Sequence, residues 1–256
     1  MVSFKNHIMC DILEREMGQD LKNSQQGTEN GKKRESKINL SLFYLNLNLD
    51  NNFRLFFSFS EPETTAVTQM TRGKKIYLAA KELRDTEETF LNVLTMLDVD
   101  FRDFITEKNP NDIIIPQASF EEIFSNMNML RNLSEANLKE FRECIKNWQE
   151  PDKTKIAHIL VKQGYFLQMF GQYTNDYTKN HQLFLELLEK FPKFKEAVLE
   201  FQSRDCCQNL PITGFFLKPC QRLAQYKLLM ENYKKKLFPV SIDYQDACKA
   251  LGIISI

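Results

Sequence analysis

The chain has 256 residues, with 34 lysines and arginines against 34 aspartates and glutamates. That balance leaves no global field to recruit nucleic acid, and the length suits one large domain or a domain with an appendage. Eight glycines and eight prolines among many Leu, Phe, Glu and Lys residues favour helices over a sheet-rich fold.

The six cysteines, Cys10, Cys144, Cys206, Cys207, Cys220 and Cys248, form no C-x-x-C pair and have no His at ligand spacing. A reduced, intracellular protein is the simplest expectation, cytoplasmic or peripheral at a membrane or the cytoskeleton. His7, His158 and His181 are too dispersed for a local metal motif, so neither metal nor cofactor is expected. The N-terminus lacks the apolar core and cleavage site of a signal peptide. The greasiest stretch, residues 38–59, is interrupted by Asn46, Asn48, Asp50, Asn51, Asn52 and Arg54, which excludes a bilayer span there. P-loop, H-E-x-x-H and G-x-S-x-G motifs are absent, leaving conventional kinase and hydrolase chemistry without support.

Residues 1–71 read unlike the rest. Residues 19–37 are polar and poor in bulky apolar side chains, the composition of a disordered segment. Residues 40–49 alternate Leu with Ser and Asn, and after Asp50-Asn51-Asn52 comes FRLFFSFS, so two short strands are predicted. They read as a local hairpin or as sequence foreign to the following domain, with no assigned role.

From Lys75 the period changes to that of a helix. Ile76, Ala80, Leu83, Glu87, Phe90, Leu94, Leu97, Phe101 and Phe104 recur in steps of three and four. This predicts one helix of about 29 residues, roughly 43 Å long at 1.5 Å per residue. Glu87 falls on the apolar stripe and Glu82 just off it, where a solvated carboxylate is the plain reading. Asn109-Pro110 ends the helix. Phe120 to Leu130 marks a second helix, and Ser134 with Asn137 and Leu138 predicts the start of a third, which Pro151 ends. Ile156, Leu160, Gly164, Leu167 and Phe170 lead into GQYTNDYTKNH and a helix running to Phe191. Pro192 opens another helix, and a last one follows Pro239 from Asp243.

Between these lies LPITGFFLKPCQRLAQYKLLMENYKKKL, residues 210–237, with two stripes. Ile212, Phe216, Pro219, Leu223, Tyr226, Met230, Tyr233 and Leu237 form a core seam. Leu217, Gln221 and Gln225, flanked by Lys218 and Arg222, form a second face that mixes an apolar side chain, two amides and cations, which suits docking. A proline inside a helix costs about 3 kcal/mol or more, so Pro219 favours a helix starting there. Lys234, Lys235 and Lys236 suit either a solvated helix end or contact with an acidic phospholipid surface.

The run FFLKPCQRLAQYKLLMENYKKKL resembles the exchange helix of Dbl-homology (DH) domains, which activate Rho-family small GTPases by driving out bound nucleotide. KELRDTEETFLNVL is similar to the E-L-x-x-T-E-x-x-aromatic signature opening those domains. FGQYTNDY and DYQDACKALGII resemble the faciogenital-dysplasia type, whose members usually carry PH and FYVE domains as well. The resemblance covers residues 75–256 and implies an all-α, elongated helical bundle over residues 72–256. It also implies that the domain is truncated in its last helix, because the family's GTPase-contacting Asn would align beyond Ile256. Glu82 would accept hydrogen bonds from the first switch of the GTPase. Thr86 would line the edge of that surface, Leu217 would pack on the partner's central strands, Gln221 and Arg222 would lie near the second switch with Gln225 beside them, and Lys218 would belong to the same GTPase-binding set. Cys220 would be an apolar filler. Where this chain has Gln225 the family usually has Lys or Arg, which implies weaker contact with an acidic switch. The implied function is an exchange factor without bond-breaking residues, with a Cdc-type GTPase favoured. The alternative is a catalytically weak GTPase-binding or membrane-associated scaffold module.

Overall fold

A computed structural model describes residues 71–110, 114–149, 153–208 and 210–255. The strand-like and polar segments expected before residue 71 lie outside the described residues. Among the described residues every regular element is helical.

Helix α1 (Arg72–Thr95) starts at Thr71, whose hydroxyl accepts the Lys74 N–H at 3.4 Å. It runs through a π turn (Met96–Phe101) into α2 (Arg102–Lys108). The expected stripe from Ile76 to Phe104 is buried at every position, Glu87 included. The uninterrupted rod spans roughly 55 Å at 1.5 Å per residue, and the π turn is the feature that period alone does not reveal. It places Asp98 inward, where Arg102 (3.2 Å) and Arg131 (2.8 Å) neutralise it. Asn109 closes the rod: its Nδ2 donates to the Ile115 carbonyl, and its Oδ1 accepts from the Ile114 and Ile115 N–H groups.

Two helices follow, α3 (Gln117–Ile123) and α4 (Met127–Lys146). The expected boundary at Ser134 is wrong. The break falls at residues 124–126, where Asn126 takes a left-handed φ of 70° that asparagine tolerates. Ser134 lies inside α4 because its hydroxyl is spent across the bundle on Glu87 instead of capping a helix. Helix α5 (His158–Lys162) and a run of turns lead into α6 (Gln168–Lys190), and α7 (Pro192–Gln202) starts with proline in its first turn as expected.

The 210–237 stretch is two helices, α8 (Ile212–Phe216) and α9 (Lys218–Lys236), with the junction at Leu217. Pro219 sits in the first turn of α9, where its missing N–H has no intrahelical partner to lose. Tyr173 on α6 fixes the junction by donating its hydroxyl to the Phe216 carbonyl at 2.9 Å. The chain ends in α10 (Tyr244–Ile254).

Helix α9 packs against α1, α6 and α10, and α4 packs along α1 and meets α9 at Glu87, where Asn137 Nδ2 donates to the Tyr226 hydroxyl at 3.4 Å. The core seam of α9 is buried as expected, with Leu223 partly exposed. Helices α1 and α9 run antiparallel. Arg72 donates to the Lys236 and Leu237 carbonyls at one end, while Glu87 meets Arg222 and Tyr226 further along. A chain of phenylalanines (Phe101, Phe120, Phe124, Phe184, Phe194, Phe201, Phe216) with centroids 5.0–6.2 Å apart fills the space among the π turn, α3, α6, α7 and α8.

Candidate functional site

The α1–α9 pair is tied by a buried polar cluster centred on Glu87, a residue that the sequence shows only as a carboxylate on an apolar stripe. The Arg222 Nη2 and the Tyr226 hydroxyl both donate to Glu87 Oε2 at 2.5 Å, and the Ser134 hydroxyl donates to Oε1 at 2.5 Å. Neither the Glu87 nor the Arg222 side chain reaches solvent. The guanidinium lies 4.2 Å from the Tyr226 ring centroid and 4.9 Å from that of Phe90. Burial works against the Arg222 charge, but Glu87 and Tyr226 outweigh it and hold its pKa above the ordinary arginine value. A carboxylate with three donors and an arginine shared between two helices fixes their register.

Arg222, expected near the second switch, is buried in the structure as an internal strut between α1 and α9 and is not presented on the surface. Thr86 is also turned inward. It is 7% exposed, and its hydroxyl donates to the Leu83 carbonyl at 3.1 Å.

The second stripe does reach the surface. Lys218, Gln221 and Gln225 are half-exposed, and continuing by steps of three and four adds Leu228, 55% exposed, and Asn232, half-exposed. Leu217, at the α8–α9 junction, packs partly against the core. Burial lowers the pKa of Lys218 from its ordinary value. Gln225 joins the two layers, because its Oε1 accepts from Arg222 Nη1. Exposed Glu82 on α1 accepts from Asn232 Nδ2 at 3.2 Å, which sets its carboxylate at the border of the stripe. Leu228 and Asn232 were missed in the sequence, although they continue the spacing of Gln221 and Gln225. Cys220, buried beside this face, has its thiol pushed up to about 12, chiefly by burial, and is inert packing.

Among the described residues no cluster of His, Cys, Asp and Glu could hold a metal ion. The arrangement offers a carboxylate (Glu82), three amides (Gln221, Gln225 and Asn232), a lysine (Lys218) and the exposed aliphatic Leu228 on a two-helix face.

The RhoGEF domain model matches residues 79–255. Human "FYVE, RhoGEF and PH domain-containing protein 6" is 34% identical over 182 residues, 70% of this chain and 13% of that protein. Human "FYVE, RhoGEF and PH domain-containing protein 4" is 33% identical over 186 residues, covering 72% of this chain and 24% of the relative. The chain thus spans less than a quarter of the length of these relatives. Among solved structures, the DH domain of FARP2 superposes with a TM-score of 0.63 at 26% identity, over 70% of this chain and 84% of that one. The DH/PH domains of PDZ-RhoGEF, solved in complex with activated RhoA, share the fold with a TM-score of 0.64 at 18% identity, over 73% of this chain and 53% of theirs. The buried α1–α9 strut, the amide-bearing face beside it and these matches lead to one assignment: the chain belongs to the RhoGEF, or Dbl-homology, domain family, with relatives of the FYVE, RhoGEF and PH domain-containing type.

Proposed function

We propose that residues 72–256 act as a guanine nucleotide exchange domain for a Rho-family small GTPase, with a Cdc-type partner favoured. The observation that carries the reading is the half-exposed stripe Lys218, Gln221, Gln225, Leu228 and Asn232, with the Glu82 carboxylate held at its border by Asn232. In this reading Glu82 accepts N–H groups of the first switch, Leu217 packs on the partner's central strands, and Gln221 and Gln225 engage the second switch. A GTPase that holds nucleotide at picomolar affinity, about 16 kcal/mol, needs its phosphate and magnesium site distorted, not any bond broken. By linkage, a face that weakens nucleotide binding is itself weakened by nucleotide, and that reciprocity allows turnover. The α1–α9 strut supports the mechanism because a compliant face would deform in place of its partner.

The test is release of fluorescent GDP from a panel of Rho, Rac and Cdc-type GTPases by the full chain and by Glu82→Ala. One GTPase should be accelerated, and the variant should lose at least tenfold of that acceleration, about 1.4 kcal/mol or more. A second reading, binding without exchange, is favoured by Gln225, which accepts from Arg222 and brings no cation to the partner. Capture of nucleotide-free GTPase without faster release would select it. Absence of both would overturn the exchange and the binding readings together.

A further inference from the structure

At the end of the bundle where α9 finishes and α1 begins, two open grooves lie side by side. One, of about 380 Å³, is lined by Arg72, Lys75, Asn232, Lys235 and Lys236. The other, of about 530 Å³, shares Arg72 and Lys235 and adds Lys234, Pro239 and Tyr244, with Glu231 as the acidic residue in its lining. The lysines differ in their surroundings. Lys235 is exposed, Lys234 lies 5.5 Å from the centroid of the Tyr244 ring, and Lys236 donates to Asn232. Burial, then crowding by Lys235 and Lys75 against the opposing pull of Glu82, lowers the pKa of Lys236. Cations crowded this way gain from an incoming anion.

Beside the grooves stands an apolar knuckle. Phe238 is 41% exposed, Val240 91% and Ile242 45%. Pro239 and Ser241 are the residues that build the turn, whereas Phe238, Val240 and Ile242 place three bulky apolar side chains in water without serving its conformation. The turn is pre-ordered. The Ser241 N–H donates to the Phe238 carbonyl at 2.9 Å, the Phe238 N–H donates to the Ser241 hydroxyl at 3.2 Å, and the Arg72 guanidinium stacks on the Phe238 ring at 3.7 Å. A rigid apolar tip loses little entropy on insertion.

We propose that this end of the bundle docks on an anionic phospholipid bilayer, with Val240, Phe238 and Ile242 entering the interfacial layer and lipid phosphates resting against Lys75, Lys235 and Arg72. A bilayer fits better than a protein partner because basic grooves flank an apolar tip in the arrangement that reads both the charge and the hydrocarbon of a membrane surface. Among the described residues no helix is long and apolar enough to cross a membrane. One step of three beyond Asn232 reaches Lys235, so the candidate GTPase-contact stripe runs directly into the lipid-facing patch.

The test is co-sedimentation of the full chain with vesicles of phosphatidylcholine alone and of phosphatidylcholine with phosphatidylserine. Because it contains no GTPase, its outcome is independent of the exchange reading. The chain should bind the anionic vesicles in a salt-sensitive manner and leave the neutral ones. At about fivefold for each basic group near the surface, Lys75→Glu with Lys235→Glu should weaken binding by about 25-fold or more. Val240→Asp should weaken it severalfold at unchanged charge on the lysines. All three side chains are exposed, so the thermal midpoint should not move and will verify folding. No binding to anionic vesicles at low salt, or equal binding by the charge-reversed variant, would overturn the proposal. So would an unaffected Val240→Asp, which would leave only diffuse adsorption. Self-association abolished by these same substitutions would assign the patch to a second copy of the chain and overturn it as well.

Discussion

Arg222 and Glu87, 135 residues apart in sequence, form an ion pair of 2.5 Å in which neither side chain touches solvent. Such a pair adds little over a well-packed apolar replacement, yet breaking it from one side strands a charge in the interior. Arg222→Met is therefore expected to cost about 3–5 kcal/mol and lower the melting temperature on the order of 10 °C. Glu87→Met combined with Arg222→Met should recover at least half of that loss. Urea denaturation of the two variants checks the prediction, and a double variant as unstable as the single one would refute it.

The short distance from the strut to the surface makes Gln225 testable by itself. Its carbonyl oxygen accepts from Arg222. Lysine at this position cannot accept and adds a second cation beside the first. Gln225→Lys should thus lose about 1–2 kcal/mol of stability, more than Gln225→Ala, although a basic residue is what the family usually carries there. Equal urea midpoints for the two variants would show that Arg222 does not depend on the amide.

Asp243 holds the last helix in place. Its fully buried carboxylate accepts the N–H groups of Ile156 (2.8 Å) and Ala157 (3.0 Å) and the hydroxyl of Tyr233 (2.9 Å), which joins the start of α10 to α5 and α9. Burial and this carboxylate both raise the pKa of Tyr233. Asp243→Ala leaves three buried donors without an acceptor and should cost about 3 kcal/mol or more. Asp243→Asn should cost less. Amide exchange should accelerate first in α10, and uniform acceleration across the bundle would count against the local role.

His181, half-buried and stacked on Tyr177 at 5.5 Å, has its pKa lowered from 6.5 by burial. The unfolded chain binds this proton more readily than the folded one, so folding carries no penalty from His181 well above pH 6.5. The penalty grows as pH falls below 6.5 and levels off beneath the folded value. His181→Gln should therefore flatten the fall in melting temperature between neutral pH and about pH 5. Asp246, whose carboxyl is lowered first by its hydrogen bond from Lys155, loses its contribution only below 3.8, outside this window. Parallel curves for the wild type and the variant would remove His181 from the acid response.

Much of this was determined by the sequence alone. The three–four spacing from Ile76 to Phe104 and from Ile212 to Leu237 identified the core seams, Asn109-Pro110 and Pro192 marked boundaries, and the KPCQR and TEETF blocks carried the family. These signals are local, because the helical period fixes which side chains share a face. The tertiary structure decided what lies on the boundary between faces. Arg222 and Thr86 border both the seam and the docking stripe, and spacing allows either direction. Only the arrival of Glu87 from a helix more than a hundred residues away draws Arg222 inside. The same remote carboxylate takes the Ser134 hydroxyl, which removes the expected cap and carries α4 through that position. Asn232 joined the candidate site for the same reason, through its hydrogen bond to Glu82 across the α1–α9 seam. Periodicity records the solvent boundary of one helix, whereas the pairing of buried charges depends on which helices meet, and that is settled only when the bundle closes.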